Sequence, residues 1–84
     1  MTRKYRYEFE WGIDKLSQED EFEVNTEYFV EDFELDCYSE FDAVVYAVEW
    51  MERRGIDSSS LMYCRVEEVF DSEMRTNVLL WIGE

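Results

Sequence analysis

Nearly all the side chains here that could do chemistry are carboxylates. Glu8 and Glu10, Glu21 and Glu23, and Glu34 and Asp36 stand in pairs two residues apart, flanking Phe9, Phe22 and Leu35. Paired carboxylates can perform glycosidase-type acid–base work, but that needs a substrate cleft, which a one-helix domain of this length rarely provides. The chain contains no histidine, which removes the commonest general base and zinc ligand. Its two cysteines, Cys37 and Cys64, lie far apart with no second pair, so no structural zinc site is expected. The run Glu31 to Asp36 lacks the ligand spacing and the glycine of a calcium loop, and the three glycines are isolated. The expectation is a non-enzyme with no catalytic residue, no metal site and no cofactor.

What stands out is charge. From Leu16 to Glu52 the chain holds thirteen carboxylates and no lysine or arginine. Phe22, Val24, Phe29, Phe33, Leu35, Phe41 and Val48 are threaded between them. With 46% hydrophobic and 18% aromatic residues, the chain is too rich in apolar groups for a disordered acidic tail. Its 84 residues make one acidic α+β domain, 1–84. The net charge of −14 exceeds the magnitude of about 2–8 that solubility asks of a small domain. It disfavours direct contact with nucleic acid or an anionic membrane and points to a strongly basic partner. No apolar run approaches the roughly 20 residues of a membrane span, and Glu8 and Glu10 interrupt any signal-peptide core. A cytoplasmic protein with two reduced cysteines is expected.

The elements that must position these acids follow from periodicity. Lys4 to Trp11 alternates, with Tyr5, Tyr7, Phe9 and Trp11 on one side, the signature of a half-buried strand. Gly12 is read as its end, Ile13 to Asp20 as a loop, and Glu21 to Val24 as a second strand followed by a turn or bulge at Asn25-Thr26. Glu27 to Tyr38 admits two readings, a short helix or a strand through Phe33, Leu35 and Cys37. The strand is favoured, because the alternation runs on to a clear helix start.

That start is Ser39-Glu40-Phe41-Asp42, where Ser39 can cap the first turn and the acids suit the positive end of the helix dipole. One main helix, about 40–54, should end at Arg53-Arg54 with Gly55 as its left-handed stop. Phe41, Val44, Val48 and Met51 are expected to be its core stripe, and Ala43 and Ala47 are small enough to let a strand approach closely. Tyr46 and Trp50 lie on a flank, a candidate homodimer interface, with the apolar end strand as the other candidate. A serine-rich link, 56–60, leads to a strand from Leu61 to Phe70 with Met62, Cys64, Val66 and Phe70 on one face. A turn at Asp71 to Met74 precedes a closing strand, Arg75 to Ile82. Val78 to Ile82 is apolar on both faces, which suggests a central strand. The sum is an antiparallel sheet of four to five strands with the helix packed on one face.

Strand-borne acids two residues apart are spaced by roughly 6.6 Å, on strands about 4.8 Å apart. Duplex DNA carries one phosphate per about 3.4 Å of axis on each strand, so such a face can approximate a nucleic-acid backbone. The basic residues cluster at Arg3, Lys4 and Arg6 and again from Arg53 onward, so no internal salt-bridge lattice is expected to neutralise the centre. In size, charge, lack of catalytic residues and α+β pattern, the whole chain resembles the small acidic phage-encoded inhibitors of nucleic-acid enzymes. These are the anti-restriction, anti-CRISPR and uracil-DNA glycosylase inhibitor proteins.

The resemblance implies a non-catalytic DNA mimic in the host cytoplasm. Its partner would be a basic nucleic-acid-binding protein: a nuclease, CRISPR effector, restriction or repair enzyme. The expected contact set is Glu8, Glu10, Glu19, Asp20, Glu21, Glu23, Glu31, Asp32, Glu34, Asp36 and Asp42, with Tyr28 and Tyr38 as aromatic anchors. Three other readings stand beside it. One is an acidic protein–protein interaction module without nucleic-acid mimicry. Another is the plain solvated face of an acidic protein. The third, salt adaptation, suits six arginines against two lysines but fits the aromatic content poorly.

Overall fold

A computed structural model describes residues 1–16, 24–70 and 76–83. Four strands and one helix follow in the order β1 (Arg3–Leu16), β2 (Val24–Cys37), α1 (Glu40–Arg53), β3 (Leu61–Val69) and β4 (Thr76–Ile82). The strands form one antiparallel sheet ordered β2-β1-β3-β4. β1 is central because its alternation supplies the core: Tyr5, Tyr7 and Phe9 are fully buried and Trp11 nearly so. Opposite Tyr5, Tyr7 and Trp11, strand β2 places Leu35, Phe33 and Phe29. Opposite Tyr7 and Phe9, strand β3 places Val66 and Cys64. Ring stacks tie the strands to each other and to the helix, from Tyr7 on Phe33 at 5.1 Å to Phe9 on Trp50 of the helix at 4.2 Å. Both cysteines are free.

The helix begins and ends as its sequence dictates. Ser39 Oγ accepts from the Asp42 amide at 3.1 Å, closing an orphan donor of the first turn. At the other end Gly55 turns left-handed at φ 71°. Its amide bonds Glu52 O at 3.1 Å and the Ile56 amide bonds Met51 O at 2.9 Å, the paired geometry of a Schellman stop. Ile56 is then buried against the core.

The face that α1 buries is only partly the expected one: Met51 packs half-buried against the core, and Ala43 and Ala47 admit the close approach of the sheet expected of them. Ala43 and Ala47 are fully buried and Trp50 is 7% exposed, whereas Phe41 is 76% exposed and Val48 43%. The reason is volume: where the helix backbone comes within hydrogen-bond reach of Tyr7 only small side chains fit, and Ala43 and Ala47 stand there, while Trp50 fills the space beside Phe9 and Trp11. Tyr7 fixes that approach by donating its hydroxyl to Ala43 O at 2.9 Å. Tyr46 packs edge-on against Tyr7 and Phe33, while Trp50 stacks on Phe9 and meets Trp11 edge-on. Both residues thus serve the core within the chain, and Trp50 leaves almost no surface for the dimer flank expected of it.

Three further expectations change. β1 does not stop at Gly12, and Asn25-Thr26 is neither turn nor bulge. β1 and β2 pair without interruption from Arg3 opposite Cys37 to Leu16 opposite Val24. Gly12 stays in the strand because Tyr28 and Thr26 lie across it, 3.5 Å and 3.1 Å from where a Cβ would stand; cross-strand aromatic cover of this kind offsets the weakness of a strand glycine. Residues 27–38 are strand to Cys37, as favoured. β4 lies at an edge of the sheet, not at its centre. On β3, Met62 is half exposed where the β1 register shifts, and Phe70 falls beyond the strand. Of the strand expected at Glu21 to Val24 only Val24 is described, as the start of β2, and the turn expected at Asp71 to Met74 lies outside the described residues.

Strand β3 pairs with β1 only as far as Trp11, so the ends of β1 and β2 run on as a two-stranded arm. The long dimension is 54 Å and the radius of gyration 15.8 Å, against about 12 Å for a compact chain of this length. Among the described residues no helix is long and apolar enough to cross a membrane.

Candidate carboxylate face

α1 covers one face of the sheet and leaves the other open. Cross-strand register assigns side chains to that open face: Lys4, Arg6, Glu8, Glu10 and Asp14 from β1, with Asp36, Glu34, Asp32, Val30 and Tyr28 from β2. Tyr63, Arg65 and Glu67 join them from β3. The face is not uniformly acidic. Arg6 lies 3.4 Å from both Glu34 and Glu67, Lys4 lies 3.9 Å from Glu34, and Arg65 lies 3.0 Å from Glu67. This lattice corrects the expectation of an unneutralised centre at one acid of the 16–52 stretch, Glu34, and adds Glu67 from outside it. Bases distant in sequence meet because β1, which carries Lys4 and Arg6, is flanked by both β2 and β3. The Arg65–Glu67 contact is coulombic only, since Glu67 Oε2 accepts no aligned hydrogen bond.

Beyond the lattice the charge is one-signed. Glu8 sits directly opposite Asp32 across β1 and β2, and Glu10 is its neighbour on the same strand. By strand geometry the opposite pair has Cα atoms about 4.5–5.5 Å apart, and Glu8 and Glu10 about 6.6 Å. Like charges placed opposite each other destabilise a sheet. Among the described residues neither Glu10 nor Asp32 has a cation within ion-pair distance. Glu8 has Arg65 opposite it on β3 and a long 3.5 Å contact from the Tyr63 hydroxyl. Between these acids lies a depression of about 190 Å³, lined by Glu8, Phe9, Glu10, Val30, Glu31, Asp32 and Tyr63. At about 30 Å³ per water, that is room for some six waters, or for the end of one long side chain. A wider recess of about 530 Å³ at the other end of the sheet is lined by Arg3, Lys4, Asp36 and Glu68, where the charges answer one another.

The expected contact residues divide accordingly. Glu8, Glu10, Asp32, Glu34, Asp36 and Tyr28 share the open face, with Glu34 drawn into the lattice. Glu31 is opposite Phe9 on the helix side, 3.7 Å from Arg54 at the helix end. Asp42 is exposed in the first turn of α1, and Tyr38 is exposed between β2 and α1. Glu19, Asp20, Glu21 and Glu23 lie outside the described residues. Val30 and Tyr63 were not foreseen as part of the site. The signal was available: Val30 is an apolar residue at an outward position of β2, 71% exposed. Among the described residues no group of three or more cysteine or carboxylate side chains is placed to hold a metal ion.

The chain matches no family model, no curated protein and no solved structure.

Proposed function

We infer that the protein is a non-catalytic inhibitor that binds the basic surface of a nucleic-acid-binding protein, its carboxylates standing where phosphates would. The observation that carries this reading is the pair Glu10 and Asp32, without a cation partner among the described residues, gathered with Glu8, Val30 and Tyr63 around one depression. Carboxylates crowded on a rigid sheet cost stability, and an arginine or lysine from a partner would relieve that cost while its stem covers Val30. Tyr28, 65% exposed on the same face, extends the surface as an aromatic anchor. In this reading the targets are nucleases, CRISPR effectors, and restriction or repair enzymes, encountered in the cytoplasm of a host cell.

The Lys4–Arg6–Arg65 lattice favours a second reading, an acidic interaction module whose partner is not a nucleic-acid enzyme. Charge reversal separates face from bulk charge. Glu10→Lys with Asp32→Lys should weaken capture of the partner at least tenfold, mostly through the association rate and less so at high salt. Glu49→Lys with Glu52→Lys, the same change in net charge placed on exposed helix positions, should leave it nearly intact. Equal losses from both pairs would contradict a specific face. A partner without any nucleic-acid-binding surface would leave the interaction module as the function.

A further inference from the structure

β4 has the composition of an interior strand and the position of an edge strand. Thr76–Ile82 contains no charged residue in a chain of net charge −14. Register puts Leu80 and Ile82 on the helix side, opposite Val66 and Cys64. It puts Val78 and Trp81 on the open side, opposite Glu67 and Arg65. Trp81 is 58% exposed, and among the described residues no strand pairs with the outer side of β4. Natural edge strands are usually blunted by charge or proline; this one carries neither, and only a register shift between Val66 and Glu67 interrupts its ladder.

The helix continues the apolar surface. Glu40 accepts from Asn77 Nδ2 of β4 at 3.3 Å, whereas Tyr46 packs on Phe33 of β2, so these two residues mark opposite flanks of α1. At 100° per residue, Val44, Val48 and Met51 fall on the Glu40 flank. Asp42 and Glu49 fall on the other. The stripe expected to face the core therefore borders β4, with Val48 partly open to solvent.

We propose that a second copy of this chain covers the β4 edge and the adjoining flank of α1, in a two-fold dimer. A basic partner finds no charge to recognise along β4. Two copies of this chain, in contrast, repel each other wherever their carboxylates meet; β4 carries none, and Glu40 on the adjoining flank is engaged by Asn77. An isologous contact is self-complementary by symmetry. It also holds the acidic strands apart. β2 lies three strand spacings from β4, so edge-to-edge copies separate their β2 strands by seven spacings, about 34 Å. That is several times the roughly 8 Å screening length at physiological salt. What repulsion remains acts over that distance only at low ionic strength, where the screening length grows to about 30 Å at 0.01 M; raising salt from there tightens this contact, whereas it weakens the binding proposed for the carboxylate face, and the two ideas can fail separately.

Sedimentation equilibrium of the full chain at about 10–100 µM, in low and high salt, decides the matter. The expected result is twice the 10.3 kDa chain mass, with a smaller dissociation constant at high salt. Trp81→Glu and Val48→Glu should each weaken the dimer at least tenfold with unchanged far-UV circular dichroism. Val30→Glu, an exposed apolar position on the far strand, should not. If Trp81→Glu fails to fold, Val48→Glu on the helix carries the decision. A wild-type monomer at the highest concentration in high salt overturns the proposal. So does a dimer that survives Val48→Glu, or one that Val30→Glu dissolves.

Discussion

Replacing Trp50 by alanine is the sharpest test of how this core is assembled. The indole stacks on Phe9 at 4.2 Å, meets Trp11 edge-on at 5.6 Å and lies 5.8 Å from Phe33. It is 7% exposed, so its loss leaves a cavity that the flanking aromatics fill only in part. Large-to-small changes of buried Phe or Trp cost about 3–5 kcal/mol, and breaking the aromatic pairs accounts for about 0.5–1.5 kcal/mol of each beyond its area. A domain of this length has about 4–13 kcal/mol in total. Trp50→Ala should therefore lose roughly half of the stability, and at about 4–8 °C per kcal/mol its Tm should fall by at least about 12 °C. Trp50→Phe, which keeps a ring over Phe9, should lose clearly less. Urea melts followed by circular dichroism give the numbers, with Tyr38→Ala, a 77% exposed position, as a control expected within about 0.5 kcal/mol of wild type. A loss below about 1 kcal/mol for Trp50→Ala would refute the core placement and return Trp50 to an exposed flank.

Alkali should unfold the protein early. Burial pushes the Tyr5 and Tyr7 hydroxyls up from their usual value of 10, helped in Tyr7 by the Cys37 thiol, and burial pushes the Cys64 thiol up to about 11. Groups whose folded pKa is raised contribute stability that is complete below their unfolded pKa and lost as pH rises above it. Stability should thus be flat to about pH 8 and fall from about pH 9 upward; a Tm unchanged between pH 8 and 10.5 would contradict this. Tyr7→Phe, which removes the bond to Ala43 O, should cost about 1 kcal/mol at pH 7 and flatten part of the alkaline decline. Added salt should raise the melting temperature by screening the carboxylates that the ion-pair lattice leaves unanswered. A fall in Tm between low salt and 0.5 M would show that the six described ion pairs outweigh the net repulsion.

Some of this was legible in the sequence because it is decided locally. The alternation of Tyr5, Tyr7, Phe9 and Trp11 identifies a buried strand face, and Ser39 and Gly55 mark the helix by the hydrogen bonds and backbone angles that only a terminus requires. What was not legible depends on partners. Ala43 and Ala47 could be read as a place for close approach, but that Phe41 and Val48 of the greasier stripe stay exposed while Trp50 turns inward depends on where Phe9 and Trp11 stand in the sheet. Gly12 reads as a stop until Tyr28 is found lying across it. Lys4 and Arg6 look remote from Glu34 and Glu67, and they meet them only through the β2-β1-β3 order. An apolar strand such as Val78 to Ile82 carries no mark of whether its neighbour belongs to the same chain.

Displacement of nucleic acid tests the central claim most directly. A labelled duplex bound to the captured partner is titrated with this protein and followed by fluorescence anisotropy at two salt concentrations. The account predicts full displacement at one protein per binding site, weaker at high salt and lost with Glu10→Lys and Asp32→Lys together. A ternary complex, in which the duplex and this protein occupy the partner at once, would contradict it.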